Sequence, residues 1–262
     1  MILQQILHTT AERLVAQKRF IPLDKVIAAS SELEINTNFP FERALRQQKL
    51  AFICEVKKAS PSKGVIAEQF PYLTIAQEYE AAGAAAISVL TEPNYFLGSD
   101  EYLSEIARTV SIPVLRKDFI IDEYMIYEAK CLGAAAVLLI CAALSAEQLR
   151  AYIELAHSLG MSALVEAHTA AEIEMALQAG ARIVGVNNRD LKTFKVDINI
   201  SKELIKLVPP EVLFVSESGI KTAADVQALR TMGANAVLIG ETLMLAADKK
   251  AALATLKGDE HD

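Results

Sequence analysis

Several things are scarce or missing in this chain, and each narrows its class. There are three cysteines, Cys54, Cys131 and Cys141, all in apolar segments and none in C-x-x-C spacing. An odd number of thiols that look buried suits a reducing compartment better than a disulfide framework, so a cytoplasmic location is expected. The four histidines, His8, His157, His168 and His261, form no pair at ligand spacing, which disfavours a metal site. No apolar run is long enough to span a bilayer. The opening MILQQILHTTAERL lacks a basic segment and a small-residue cleavage site, so it reads as an amphipathic helix and not a signal peptide. Positive charge is not in excess: 33 acidic against 26 basic residues give a net charge of -7. That argues against a nucleic-acid or membrane partner, although local lysines still admit a small anionic substrate. No Pro/Gly/Ser-rich linker interrupts the 262 residues, of which 52% are hydrophobic. The chain therefore reads as one domain, 1–262, with residues 1–50 as a helical cap.

What is present is periodic. Four near-copies of one phrase recur: Gly83-Ala-Ala-Ala-Ile, Gly133-Ala-Ala-Ala-Val, Gly180-Ala-Arg-Ile-Val and Gly233-Ala-Asn-Ala-Val. Each glycine closes a helical pattern, as a C′ residue with positive φ does, and each precedes a short apolar strand. The pattern predicts strands at 51–57, 85–90, 113–117, 135–140, 162–166, 182–187, 212–217 and 235–239. Helices are expected at about 74–82, 100–109, 122–132, 145–159, 169–179, 199–207, 222–232 and 243–254. This alternation points to an α/β fold, a (β/α)8 barrel with an N-terminal helical extension. A doubly wound sheet competes less well, because no G-x-G-x-x-G follows the first strand. The first fifty residues read as one or two helices and a polar loop, SSELEINTNFPFERAL, and GDEHD at the end reads as a solvated tail.

The strand ends carry charge in phase. The first strand opens Phe52-Ile-Cys-Glu-Val-Lys57 and runs into Ser60-Pro-Ser-Lys-Gly64. Glu55 and Lys57 are two residues apart, so an extended segment points both to one face. Burying that pair is costly unless it is paired or does chemistry. Lys117, Glu166, Asn187 with Arg189, and Glu217 end the third, fifth, sixth and seventh strands. In a parallel barrel these ends surround one mouth. Alternation then turns Leu115 and Leu164 inward, below Lys117 and Glu166, and sends Val114, Arg116 and Val165 toward the helices. Gly219 and Gly240 follow the seventh and eighth strands, where backbone N–H groups often hold phosphate.

These residues lie in long ordered motifs that resemble the indole-3-glycerol phosphate synthase family. The motifs are CEVKKASPSKG, Thr91-Glu-Pro-Asn-Tyr-Phe-Leu-Gly98, Leu115-Arg-Lys-Asp-Phe-Ile-Ile-Asp122 and Leu164-Val-Glu-Ala-His168. They continue through Gly185-Val-Asn-Asn-Arg-Asp-Leu191, Ser216-Glu-Ser-Gly-Ile220 and Ile239-Gly-Glu-Thr-Leu-Met244. The resemblance covers essentially the whole chain. It implies conversion of 1-(2-carboxyphenylamino)-1-deoxyribulose 5-phosphate to indole-3-glycerol phosphate, carbon dioxide and water. It implies no metal and no organic cofactor, and a phosphorylated small-molecule substrate; a monomer is separately expected in preference to an oligomer. By resemblance, Lys117 is the general acid toward the C2 carbonyl oxygen, and Glu166 serves the dehydration. Lys57 holds the substrate carboxylate, while Glu55, Asn187 and Glu217 orient the lysines and the substrate hydroxyls. Arg189 organises the polar network. Phe96 and Phe119 pack on the aromatic ring above Leu138. Ser60 and Pro61 begin a loop that closes over the ligand. Ser60, Ser218, Gly219, Gly240 and the backbone of Glu241 surround the phosphate.

Elementary chemistry expects the Lys117 pKa to fall toward neutrality, through burial and the nearby Lys57, and expects a glutamate with a raised pKa for the later proton transfer. Glu241 is expected to turn its carboxylate away from the phosphate. Plainer readings attach to other residues. His168 reads as a loop histidine in contact with solvent, and Lys58 and Lys63 as solvated loop residues. Tyr124, Tyr127, Met232 and Met244 read as packing, and the Glu55–Lys57 pair as a salt bridge that shapes the pocket. Two rival functions are weighed. A phosphoribosylanthranilate isomerase needs a Cys/Asp acid–base pair at strand ends, but Cys54 should face the helices. A non-catalytic phosphate-ligand sensor is expected to lack Lys117 or Glu166.

Overall fold

A computed structural model describes residues 2–190 and 193–258. Leu191, His261 and residues 259–262 of the expected tail lie outside the described residues. Eight parallel strands close into a barrel: β1 (Ala51–Val56), β2 (Ala86–Leu90), β3 (Val114–Lys117), β4 (Ala136–Ile140), β5 (Ser162–Ala167), β6 (Ile183–Asn187), β7 (Leu213–Glu217) and β8 (Ala236–Ile239). Each strand pairs with its sequence neighbours, and β1 closes against β8. The doubly wound alternative is thereby excluded. Gly83, Gly133, Gly180 and Gly233 all have positive φ, between 78° and 89°, so the repeated phrase is a left-handed stop after a helix.

The outer helices are α4 (Tyr72–Ala81), α5 (Asp100–Thr109), α6 (Glu123–Cys131), α7 (Ala146–Ser158), α8 (Ala170–Gln178), α9 (Asn199–Leu204) and α10 (Ala223–Met232), followed by α11 (Glu241–Leu245) and α12 (Lys249–Lys257). The expected helix over 243–254 is therefore two helices. The chain leaves helical geometry at Ala246, and the Asp248 side chain caps α12 by accepting from the Ala251 N–H. A further difference is a small hairpin, Ala59–Ser60 with Gly64–Val65, in the loop after β1. Cys54 and Cys141 are buried as expected, but Cys131 is exposed at the end of α6.

Before β1 come three helices, α1 (Ile2–Phe20), α2 (Leu23–Ser31) and α3 (Pro40–Arg46). The last lies inside the segment read as a polar loop. Its Phe41 and Leu45 are fully buried and join Ala51, Ile53, Ile183 and Leu213 in the cluster that fills the barrel. Those strand residues belong to the N-terminal halves of β1, β6 and β7, so α3 stoppers the floor. At the opposite end, Ile2, Leu3 and Ile6 of α1 form part of the wall of the mouth. The N-terminal extension thus bounds the barrel at both ends.

Alternation along β3 follows the expectation. Leu115 is in the inner cluster and Val114 in the outer one. Arg116 is fully buried between strand and helices. It donates to Glu128 (2.8 Å), Asp100 (2.9 Å), the Met125 carbonyl (2.9 Å) and the Thr91 hydroxyl (3.2 Å). Asp118, also outward, accepts from Thr91 (2.7 Å), from Arg13 of α1 (3.3 Å) and from the Phe119 N–H (2.8 Å). A buried charge held by so many partners strands several acids if it is removed. Arg116→Leu should destabilise the fold by about 3–5 kcal/mol in urea unfolding; a change within experimental error would show that these acids find other partners.

Candidate active site

The C-terminal ends of the strands enclose a cavity of about 410 Å³. The structure brings together there Glu55, Lys57, Lys117, Glu166, Asn187 and Glu217, and around them Ser60, Pro61, Phe96, Phe119, Leu138, Arg189, Ser218, Gly219, Gly240 and Glu241. Register explains the convergence: Lys117 lies opposite Leu90, Glu166 opposite Ile140, and Asn187 opposite Glu217. The inward columns are apolar below and charged at the rim, because a filled barrel leaves its charges room only at the top.

Glu55 is the hub. Lys57 donates to one of its oxygens at 2.6 Å, Lys117 lies 3.6 Å from the other, and the Ser88 hydroxyl donates to it at 3.5 Å. Burial is the strongest single influence on this carboxyl and pushes its pKa up, but the two lysines outweigh it and hold the pKa below the ordinary value. Lys117 also lies 3.6 Å from Glu217. Burial acts to lower the Lys117 pKa, yet Glu55, Glu217 and Glu166 together raise it well above the ordinary lysine value. The expected fall toward neutrality is therefore corrected: carboxylates, not Lys57, dominate the lysine's surroundings. The carboxyl pushed up is Glu217, to about 7, by burial first and then by Glu166 and Glu55 against the pull of Lys117.

Two glycines make this crowding possible. A Cβ on Gly185 would collide with the Glu217 carboxylate, and one on Gly240 with the Glu55 carboxylate and the Lys57 ammonium. Gly240 was expected at the phosphate end, whereas Gly185 stood in a motif with no reason attached. Asn187 donates to Glu166 at 3.3 Å. Its neighbour Asn188 is buried, bonded to Ser216, Ser201 and the Ser218 carbonyl, and fixes the loop after β7. In that loop Ser218 and Gly219 both have positive φ.

The apolar wall is built just as locally. Phe96 and Phe119 lie with ring centroids 6.0 Å apart at 38°. The Phe96 loop is held by buried Glu92, which accepts the N–H groups of Asn94, Tyr95 and Phe96 at 2.7–3.0 Å. That carboxylate is a structural cap no charge pattern announced. Glu241 faces two cations, Lys63 at 3.2 Å and Arg189 at 3.5 Å, so Lys63 is an ion-pair partner and not only a solvated loop residue. His168 departs further from expectation, as its side chain is largely buried beside Glu166. Cys54 lies in the helix-facing core with its thiol pushed up to about 12 by burial, so it offers no acid–base partner at the mouth.

Comparison with known proteins places these observations in a lineage. Residues 3–256 match the family model described as indole-3-glycerol phosphate synthase. A protein of that name from Ruminiclostridium cellulolyticum is 57% identical over 258 residues, spanning 98% of this chain and 99% of its own. Another of that name, from Lachnoclostridium phytofermentans, is 49% identical over 268 residues at 98% and 99% coverage. Among solved structures, 3-hexulose-6-phosphate synthase from Salmonella typhimurium superposes with a TM-score of 0.66 at 14% identity, covering 80% of this chain and 97% of that one, a likeness of fold.

Glu217 gives a pH signature. Its folded pKa of about 7 exceeds the unfolded value of 4.5, so the stability it contributes is complete below 4.5 and lost as pH rises through 7. The wild-type urea midpoint should therefore drop between pH 5 and pH 8, and Glu217→Gln, with no proton to lose, should drop less. Equal declines would mean that Glu217 does not hold its proton in the folded state.

Proposed function

The chain belongs to the indole-3-glycerol phosphate synthase family, and on that premise we propose which of its residues carry the reaction. The activity is the family's: ring closure of 1-(2-carboxyphenylamino)-1-deoxyribulose 5-phosphate with loss of carbon dioxide and water, a carboxy-lyase step of tryptophan biosynthesis. The observation that carries the assignment is the sharing of one buried carboxylate, Glu55, by Lys57 and Lys117. It holds two ammonium groups at one rim without letting them repel each other apart.

In this assignment the substrate's aromatic ring lies against Phe96 and Phe119, above Leu138. Its carboxylate meets Lys57, and its phosphate lies among Ser60, Ser218, Gly219, Gly240 and the Glu241 N–H, with Pro61 in the covering loop and Arg189 ordering the polar edge. As the ring carbon attacks C2, negative charge develops on the carbonyl oxygen, and Lys117 donates its proton there. Lys117 arrives fully protonated because three carboxylates favour the ammonium form. A carboxyl near neutrality is suited to returning a proton, which gives Glu217 a part beside Lys117. Carbon dioxide then leaves as the ring regains its electrons. Glu166, oriented by Asn187, serves the final dehydration. The chain is taken to work as one domain and as a monomer, and its free thiols suit the reducing cytoplasm.

Incubating the purified protein with the carboxyphenylamino substrate should produce indole fluorescence, and folded protein that makes no product would overturn the assignment. Lys117→Met should fold, since Lys57 still neutralises Glu55, and should lose at least about a hundredfold in kcat. Near-normal turnover in that variant would remove Lys117 from the role of acid.

Glu241 keeps its expected orientation in this assignment, with its carboxylate engaged by Lys63 and Arg189 and only its N–H offered to the phosphate. A ligand-bound crystal structure should show the carboxylate directed away from the phosphate; finding it turned inward would end that idea.

A further inference from the structure

His168 sits two residues beyond Glu166, just past the end of β5, and its ring lies between two carboxylates. Nε2 is 3.6 Å from Glu166 Oε1, and Nδ1 is 3.7 Å from Glu172 Oε2. Glu172, in the first turn of α8, accepts the His168 backbone N–H at 2.6 Å and so anchors the chain that carries the ring, and Thr169 caps the same turn by accepting the Glu172 N–H at 3.2 Å. Nε2 is buried and has no hydrogen-bond partner among the described residues, and it faces Glu166. Among the described residues, the hydrogen bond that orients Glu166 comes from the Asn187 amide, at 3.3 Å. A buried carboxylate with one long hydrogen bond is poorly fixed for proton transfer, and catalytic groups depend on tight orientation.

We propose that His168 is a positioning residue for Glu166: Glu172 fixes the imidazole, and its Nε2–H aims and holds the Glu166 carboxylate for the dehydration step. Carboxylates face both ring nitrogens. A neutral imidazole has one N–H and would turn a lone pair on one of them, whereas the doubly protonated ring donates to both. Glu166 on β5, Glu172 on α8 and Glu217 on β7 are the acids acting on the ring, and they outweigh the opposing effect of burial, so its pKa is raised. Substrate binding need shorten the His168–Glu166 approach by only a few tenths of an ångström to bring it into ordinary hydrogen-bond range.

This inference rests on the dehydration role given to Glu166, and its test separates the two. His168→Leu fills the space without a donor and should lower kcat about tenfold, the scale of one charge-assisted hydrogen bond, with KM within about twofold. His168→Gln, which keeps a donor, should recover most of the loss and flatten the change in the kcat–pH profile that accompanies imidazole titration. In the wild type, the His168 ring followed by NMR should titrate at lower pH once Glu166→Gln removes its carboxylate. A His168→Leu enzyme with wild-type kcat, KM and pH profile overturns the inference, as does a His168 titration that Glu166→Gln leaves unmoved. If Glu166→Gln retains full turnover, the dehydration role of Glu166 fails, while a displaced His168 titration still establishes the pair.

Discussion

Everything at the mouth depends on Glu55. A carboxylate this deeply buried is tolerated only with positive partners at contact distance, and Lys57 and Lys117 supply them from two strands. The dependence runs both ways, because two ammonium groups at one rim need an anion between them. Glu166 and Glu217 then make three carboxyls against two lysines. The excess is relieved where burial is most severe, by a proton retained on Glu217. His168 lies between Glu166 and Glu172, and these acids raise its pKa against the effect of burial. The site is a set of charges that fix one another's protonation, not a collection of independent catalytic groups.

That set needs a rigid frame, and β3 shows how it is made. Leu115 and Lys117 point into the barrel, while Arg116 and Asp118 point out. The outward pair binds Asp100, Glu128, Thr91 and Arg13, which tie the strand to α5, α6, the end of β2 and α1. The same strand thus carries an ion network on each face. The outer one centres on fully buried Arg116 and Asp118 and holds the backbone; the inner one lines the mouth. Gly185 and Gly240 matter for the same reason, since a methyl group at either would push an acid out of place.

Much of this was legible in the sequence because barrel strands alternate with period two and end in step. The eight strands fall within a residue of expectation, and Leu115, Leu164, Arg116 and Cys54 face the sides that alternation assigns. What was not legible came from contacts between distant segments. The helix α3 has only seven residues and two core positions, Phe41 and Leu45, too few to stand out from a polar stretch. The high proton affinity of Lys117 arises from acids on three other strands, none near it in the chain. Glu92 looks like a surface charge until the backbone folds around it. His168 reads as a loop residue because nothing local shows that Glu172 draws its backbone inward.

An acidic chain that takes an anionic substrate is no paradox once the pairing is counted. With a net charge of -7 the distant field repels anions, but screening confines that field to about 8–10 Å at physiological ionic strength. Inside the mouth four cations are already matched to a carboxylate: Lys57 and Lys117 to Glu55, Lys63 and Arg189 to Glu241. The matched state holds Lys57, Lys117 and Arg189 in place and partly desolvated, so in the proposed assignment an arriving substrate carboxylate meets oriented donors and not mobile, hydrated ones. In the proposed assignment Glu241 keeps Lys63 and Arg189 while the substrate carboxylate meets Lys57, so most of the cost of ordering these cations is met during folding.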